Sequence, residues 1–81
     1  MNRQELILQI NEVLADEFEI DVADIRPEGS IKETLQLDSL SLVDMVALIE
    51  TTFNVKIKGA EIIHIQTFGN LYDFLHERIH T

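Results

Sequence analysis

The stretch LQLDSLSLVDMVALIETTF (residues 35–53) holds an aspartate–serine pair followed by a run free of glycine and proline. Asp38 is placed to accept hydrogen bonds from the free amides of the turn after it. It therefore predicts the N-cap of a helix running from Ser39 to Phe53. The apolar positions of that helix fall into two stripes. Leu42, Val46, Ile49 and Phe53 follow the i, i+4, i+7, i+11 spacing of a core-facing side. Leu40, Val43 and Ala47 form a second stripe, rotated away. A small domain cannot readily bury both, so the second stripe is a candidate docking surface unless the preceding loop covers it.

Working outward, Asn2 followed by Glu5 reads as a capping-box-like helix start. Leu6, Ile7, Ile10, Val13 and Leu14 continue at helical spacing, which predicts a first helix from Arg3 to about Phe18. Residues 19–37 read as a long ordered loop, broken by RPEGS and pinned by Ile20, Val22, Ile25, Ile31, Leu35 and Leu37. After Phe53, NVKIKGAEIIHI reads as a turn and a short helix around residues 60–64. Thr67 can cap a last helix whose apolar side is Leu71, Phe74, Leu75 and Ile79. The expected architecture is all-α: a small up-down four-helix bundle, three main helices and one short one, with a long first connection. It forms one domain over residues 1–81.

Composition narrows the function. Fifteen acids against six Lys and Arg give a net charge of −9. That sign opposes nucleic-acid binding and suits a partner with a basic docking face. The charge comes from the first half: residues 1–50 hold twelve acids and three bases, and residues 51–81 hold three of each. There is no cysteine, so no disulfide or thiolate metal site is possible. The N-terminal residues do not read as a secretory leader, and no apolar run approaches the ~20 residues that span a bilayer. A cytoplasmic protein without membrane insertion is expected. A chain this short buries only about 60% of its extended surface, which leaves little room for a deep catalytic cleft.

HERIH (residues 76–80) matches the H-E-x-x-H zinc-protease pattern. On a helix His76 and His80 would share one side, with Glu77 as base. A catalytic zinc also needs a third protein ligand and a cleft, and the remaining histidine, His64, belongs to another helix. The amphipathic end of a helix accounts for the same residues, so no metal centre is expected.

Ser39 also fails as a nucleophile. It has neither a G-x-S-x-G elbow around it nor an evident base and orienting group behind it. Two readings of the residues stay open. In one, Asp38 caps and Ser39 is an ordinary first-turn residue. In the other, Ser39 bears a phosphate in the positive end of the helix dipole, with Asp38 beside it to hold a divalent cation for the modifying enzyme.

LDSLSLVDMVALIETTFNVKI (residues 37–57) resembles the acyl carrier protein family, whose signature is Asp-Ser-Leu at the start of the helix. The resemblance extends over essentially the whole chain, in length, acidity, lack of cysteine, the long first loop and the short helix before the last one. It implies that Ser39 receives 4′-phosphopantetheine from coenzyme A, through a transferase that uses magnesium, and that Asp38 contacts transferase and metal. The arm's thiol then carries an acyl group, and the protein is a carrier, not an enzyme. Leu40, Val43 and Ala47 are implied as apolar partner contacts, and Asp44 and Glu50 as acids of the recognition helix. The implied partners are the phosphopantetheinyl transferase and acyl-transferring, ligase or synthase enzymes, with the carrier itself a monomer. Leu42, Val46, Ile49, Phe53, Ile65 and Leu71 are expected to line an acyl pocket.

The chain departs from the fatty-acid pattern at several places. Ser41 stands where an acid is usual, and Thr51 and Thr52 replace further glutamates. KIKGAEIIHI is less acidic than the corresponding segment of the family, and Leu71 stands where a small residue is common. These differences point to a specialised carrier. The rival readings are a D-alanyl carrier, a peptidyl or aminoacyl carrier, and an unmodified acidic helical adaptor that uses Leu40, Val43 and Ala47. Leu37-Asp38 lacks the Gly-Gly-His pattern of peptidyl carriers, and Leu40 replaces the Phe of D-alanyl carriers.

Overall fold

A computed structural model describes residues 2–79. Its first helix, α1 (Arg3–Phe18), begins where the sequence places it: the Asn2 side chain accepts from the Glu5 amide at 2.8 Å. It ends on Glu19, whose φ of 55° puts a non-glycine residue in the left-handed region, and the Ile20 amide closes back on the Ala15 carbonyl. The chain then makes a 3-10 turn at Val22–Asp24, with Asp21 accepting from the Ala23 amide.

Residues 19–37 are not loop throughout. A five-residue helix, α2 (Ile31–Leu35), starts at Ser30, whose hydroxyl accepts from the Glu33 amide. Ser30 and Glu33 have the S-x-x-E spacing of a capping box, a signal hidden by the RPEGS break just before it. The helix stops at Gln36, again at φ 55°. Helix α3 (Ser39–Phe53) follows, then α4 (Gly59–Ile62) and α5 (Phe68–Ile79). The expected short helix at residues 60–64 is thus present but ends earlier, at Ile62. At α5, Thr67 accepts from the Asn70 amide, and the Asn70 side chain accepts from the Thr67 amide, both at 3.1 Å. Among the described residues there are five helices and no strand; a lone antiparallel bridge joins Ser30 to Thr67.

The core lies between α1, α3 and α5. Leu6, Ile10 and Leu14 come from α1, Met45, Val46 and Ile49 from α3, and Phe68, Leu71, Tyr72 and Leu75 from α5. Fully burying side chains of this size stabilises by about 1.5–3 kcal/mol each before entropy is counted. The one buried polar side chain among the described residues is Asn11. It accepts a hydrogen bond from the Tyr72 hydroxyl, which ties α1 to α5 and leaves neither polar group orphaned. Burial pushes the Tyr72 phenol above its ordinary pKa.

Ile25, Ile31 and Leu35 pin the first connection to the core. Its middle is also stitched to the start of α5. Gly69 donates to the Pro27 carbonyl at 2.8 Å, Phe68 to the Gly29 carbonyl and Ile31 to the Gln66 carbonyl. A Cβ on Gly69 would stand 3.0 Å from the Pro27 oxygen, so the close approach depends on glycine.

Candidate functional site

The start of α3 is built by Asp38. Its backbone is extended, its carbonyl accepts from Leu42, and its Oδ1 accepts from the Ser41 amide at 2.8 Å. Those hydrogen bonds, led by the one from the Ser41 backbone, hold the exposed Asp38 carboxylate below its ordinary pKa. Asp38 is therefore ionised at neutral pH. Ser39, placed by its backbone, is the first residue of the helix. Amides in a first turn have no intrahelical acceptor and lie at the positive end of the dipole, an environment suited to an anionic substituent.

The surface beside this point is apolar and open. Leu40 is 78% exposed and Val43 56% exposed; Asp44 and Ala47 are exposed next to them along the helix. The first connection does not cover this stripe, which settles the alternative left open by the sequence. Glu50 lies differently. It is half-buried, and its Oε2 accepts from the Ile57 amide at 2.8 Å, so it fastens the segment after α3.

The expected pocket residues divide into two groups. Val46, Ile49 and Leu71 are buried in the closed core, and Phe53 packs half-buried against it. Ile65 is buried in the same core and Leu42 packs half-buried against it, and these two also line a groove of about 380 Å³, together with Ser30, Lys32, Ile62, Ile63 and Gln66. The sequence reading missed the α2 and α4 residues of this groove. Ile62 and Ile63 stood out only as an apolar pair in EIIHI. Nothing in the linear pattern shows that α2 comes opposite α4. Met45 was missed as well: it is fully buried in α3, between the expected core positions Leu42 and Ile49.

Of the HERIH pattern, His80 lies outside the described residues; among the described residues no group of three His, Asp or Glu side chains is placed to hold an ion. No described helix is long and apolar enough to cross a membrane.

Comparison with known proteins bears on this site. A family model described as "Phosphopantetheine attachment site" matches residues 9–75. The acyl carrier protein of Rubrobacter xylanophilus is 34% identical over 77 residues, covering 95% of each chain. That of Thermosynechococcus vestitus is 29% identical over 79 residues, covering 98% of each. The crystal structure of the acyl carrier protein from Thermotoga maritima superposes with a TM-score of 0.80 at 28% identity, covering 99% of this chain and 93% of that one.

Proposed function

This chain belongs to the acyl carrier protein family and carries acyl groups on a covalent 4′-phosphopantetheine, and we propose that Ser39 is the residue that bears the arm. The observation that supports this assignment is the exposed start of α3, where an ionised Asp38 precedes the serine and an unpacked Leu40 follows it. A phosphate esterified there meets the positive end of the helix dipole, while the exposed surroundings leave space for a transferase.

When bound, the group supplies a thiol that holds the acyl cargo as a thioester. The residues of the chain present and steer it. Asp38 offers a carboxylate for the metal ion of the transferase. Leu40, Val43 and Ala47 give partner enzymes a small apolar contact. Asp44, with the acidic first half of the chain, attracts their basic docking faces; Glu50 belongs to the same set, though its anchoring of Ile57 restricts it. Interaction with transferase and synthase enzymes follows from the family. This choice of contact residues, a single domain over residues 1–81, a monomer and cytoplasmic residence belong to the proposal. Contacts this small suit partners that must release the carrier quickly.

The test is intact mass after incubation with coenzyme A, magnesium and a broad-specificity phosphopantetheinyl transferase. One phosphopantetheine adduct is expected on the wild-type chain and none on Ser39→Ala. An adduct that persists in Ser39→Ala places the attachment elsewhere.

A further inference from the structure

The exposed stripe of α3 runs on to Glu50. Leu40, Val43, Ala47 and Glu50 follow the i, i+3, i+7, i+10 spacing of one helix side. At its start the charge is negative: Asp38 and Asp44 are exposed, and α3 contains no base. At its end the sign changes. Glu50 accepts from the Ile57 amide at 2.8 Å, which fastens residues 56–58 against the end of the stripe. Ile57 is buried, and its neighbours Lys56 and Lys58 are exposed. The segment TTFNVKIKGA (residues 51–60) holds these two lysines and no acid. Glu61, the next acid, is paired with Arg78 on α5. Two bases thus stand beside Glu50.

Distance decides whether a partner senses this. At 1.5 Å per residue, the rise from Asp38 to Glu50 is about 18 Å. The Debye length at physiological salt is about 8 Å. The two ends are therefore felt separately, and the net charge of −9 does not describe the far end.

We infer that this carrier docks on enzymes whose contact face is split in charge: basic opposite Asp38 and Asp44, acidic opposite Lys56 and Lys58, and apolar between them. The inference rests on the carrier reading and on docking along the α3 stripe. It makes Lys56 and Lys58 specificity determinants, because an entirely basic docking face is attracted at one end of the stripe and repelled at the other.

The probe is a fatty-acid ketosynthase with an entirely basic docking face, used as such and with the base farthest from its active-site mouth changed to glutamate. The full-length wild type, Lys56→Glu and the Lys56→Glu, Lys58→Glu double variant are loaded with one short saturated acyl chain. Acyl transfer to each enzyme gives kcat/KM, and circular dichroism shows that each variant is folded. With the basic enzyme, kcat/KM should rise from wild type to single to double variant, by up to about fivefold for each lysine, as for an exposed ion pair. The change should lie in KM and fade in molar salt, where the Debye length is about 3 Å. With the glutamate-bearing enzyme the order should reverse. Loading is checked first by mass. If no adduct forms, the attachment reading falls and takes this inference with it. If loading succeeds, equal kcat/KM for the three proteins, an order that both enzymes share, or transfer to neither enzyme overturns the split docking face alone.

Discussion

At the scale of single residues, Asp38 combines two duties that substitution can separate. Its side chain caps α3, and its charge lies next to the serine proposed to be modified. Asparagine is as good an N-cap as aspartate but carries no charge. Asp38→Asn should keep the melting temperature of the wild type at neutral pH and slow transfer of phosphopantetheine, whereas Asp38→Ala should lower both. Calorimetry beside a mass-based transfer assay distinguishes them, and equal transfer rates in Asp38→Asn and wild type would remove the charge from the account. The pH dependence follows from the direction of the shift. Because the folded state holds Asp38 below its ordinary pKa, its contribution is complete above about pH 4 and is lost as pH falls through the lowered folded value. Acid unfolding should be less steep in Asp38→Asn over that range.

At the scale of elements, the ends of the helices differ in how they are made. Three of the helices stop on a left-handed residue that is not glycine: Glu19, Gln36 and Asn54. Left-handed backbone costs ordinary L-residues about 1–2 kcal/mol. Glycine removes that cost and returns about 0.4–1 kcal/mol of it through a freer unfolded chain. Gln36→Gly should therefore stabilise by about 0.5–1 kcal/mol in urea unfolding, and a loss of stability would mean that the side chain contributes more than its exposure suggests. These ends also show what was legible beforehand. Asn2, Asp38 and Thr67 announced their helices through side-chain chemistry that acts within three residues, which is why the starts of α1, α3 and α5 were found. Gln36 carries no such mark, and α2 escaped notice although Ser30 and Glu33 wrote the same local code. The pairings that fix the rest, Tyr72 with Asn11 and Arg78 with Glu61, join residues far apart in the chain. No local periodicity encodes them. The proposed attachment point was readable because it is a local motif on a capped helix; the groove was not, because its walls come from α2, α3 and α4.

At the scale of the whole molecule, the first connection and the last helix hold each other. Phe68, Gly69 and Ile31 supply the amides of this seam. Gly69→Val should cost about 1–3 kcal/mol, as overpacking of a tight contact does, because the Pro27 carbonyl that would have to give way is itself bonded to the Gly69 amide. Urea unfolding monitored by circular dichroism measures it, and a fully stable variant would show that the seam adjusts freely.

That seam also orders events in time. Its hydrogen bonds join the connection leading to Ser39 with residues 66–69, so loop closure over a long span of chain must come before any of them can form. During synthesis the earlier helices emerge first, but the approach to Ser39 cannot reach its native form until the start of α5 has left the ribosome. Order next to the proposed modification site is thus one of the last things this chain acquires.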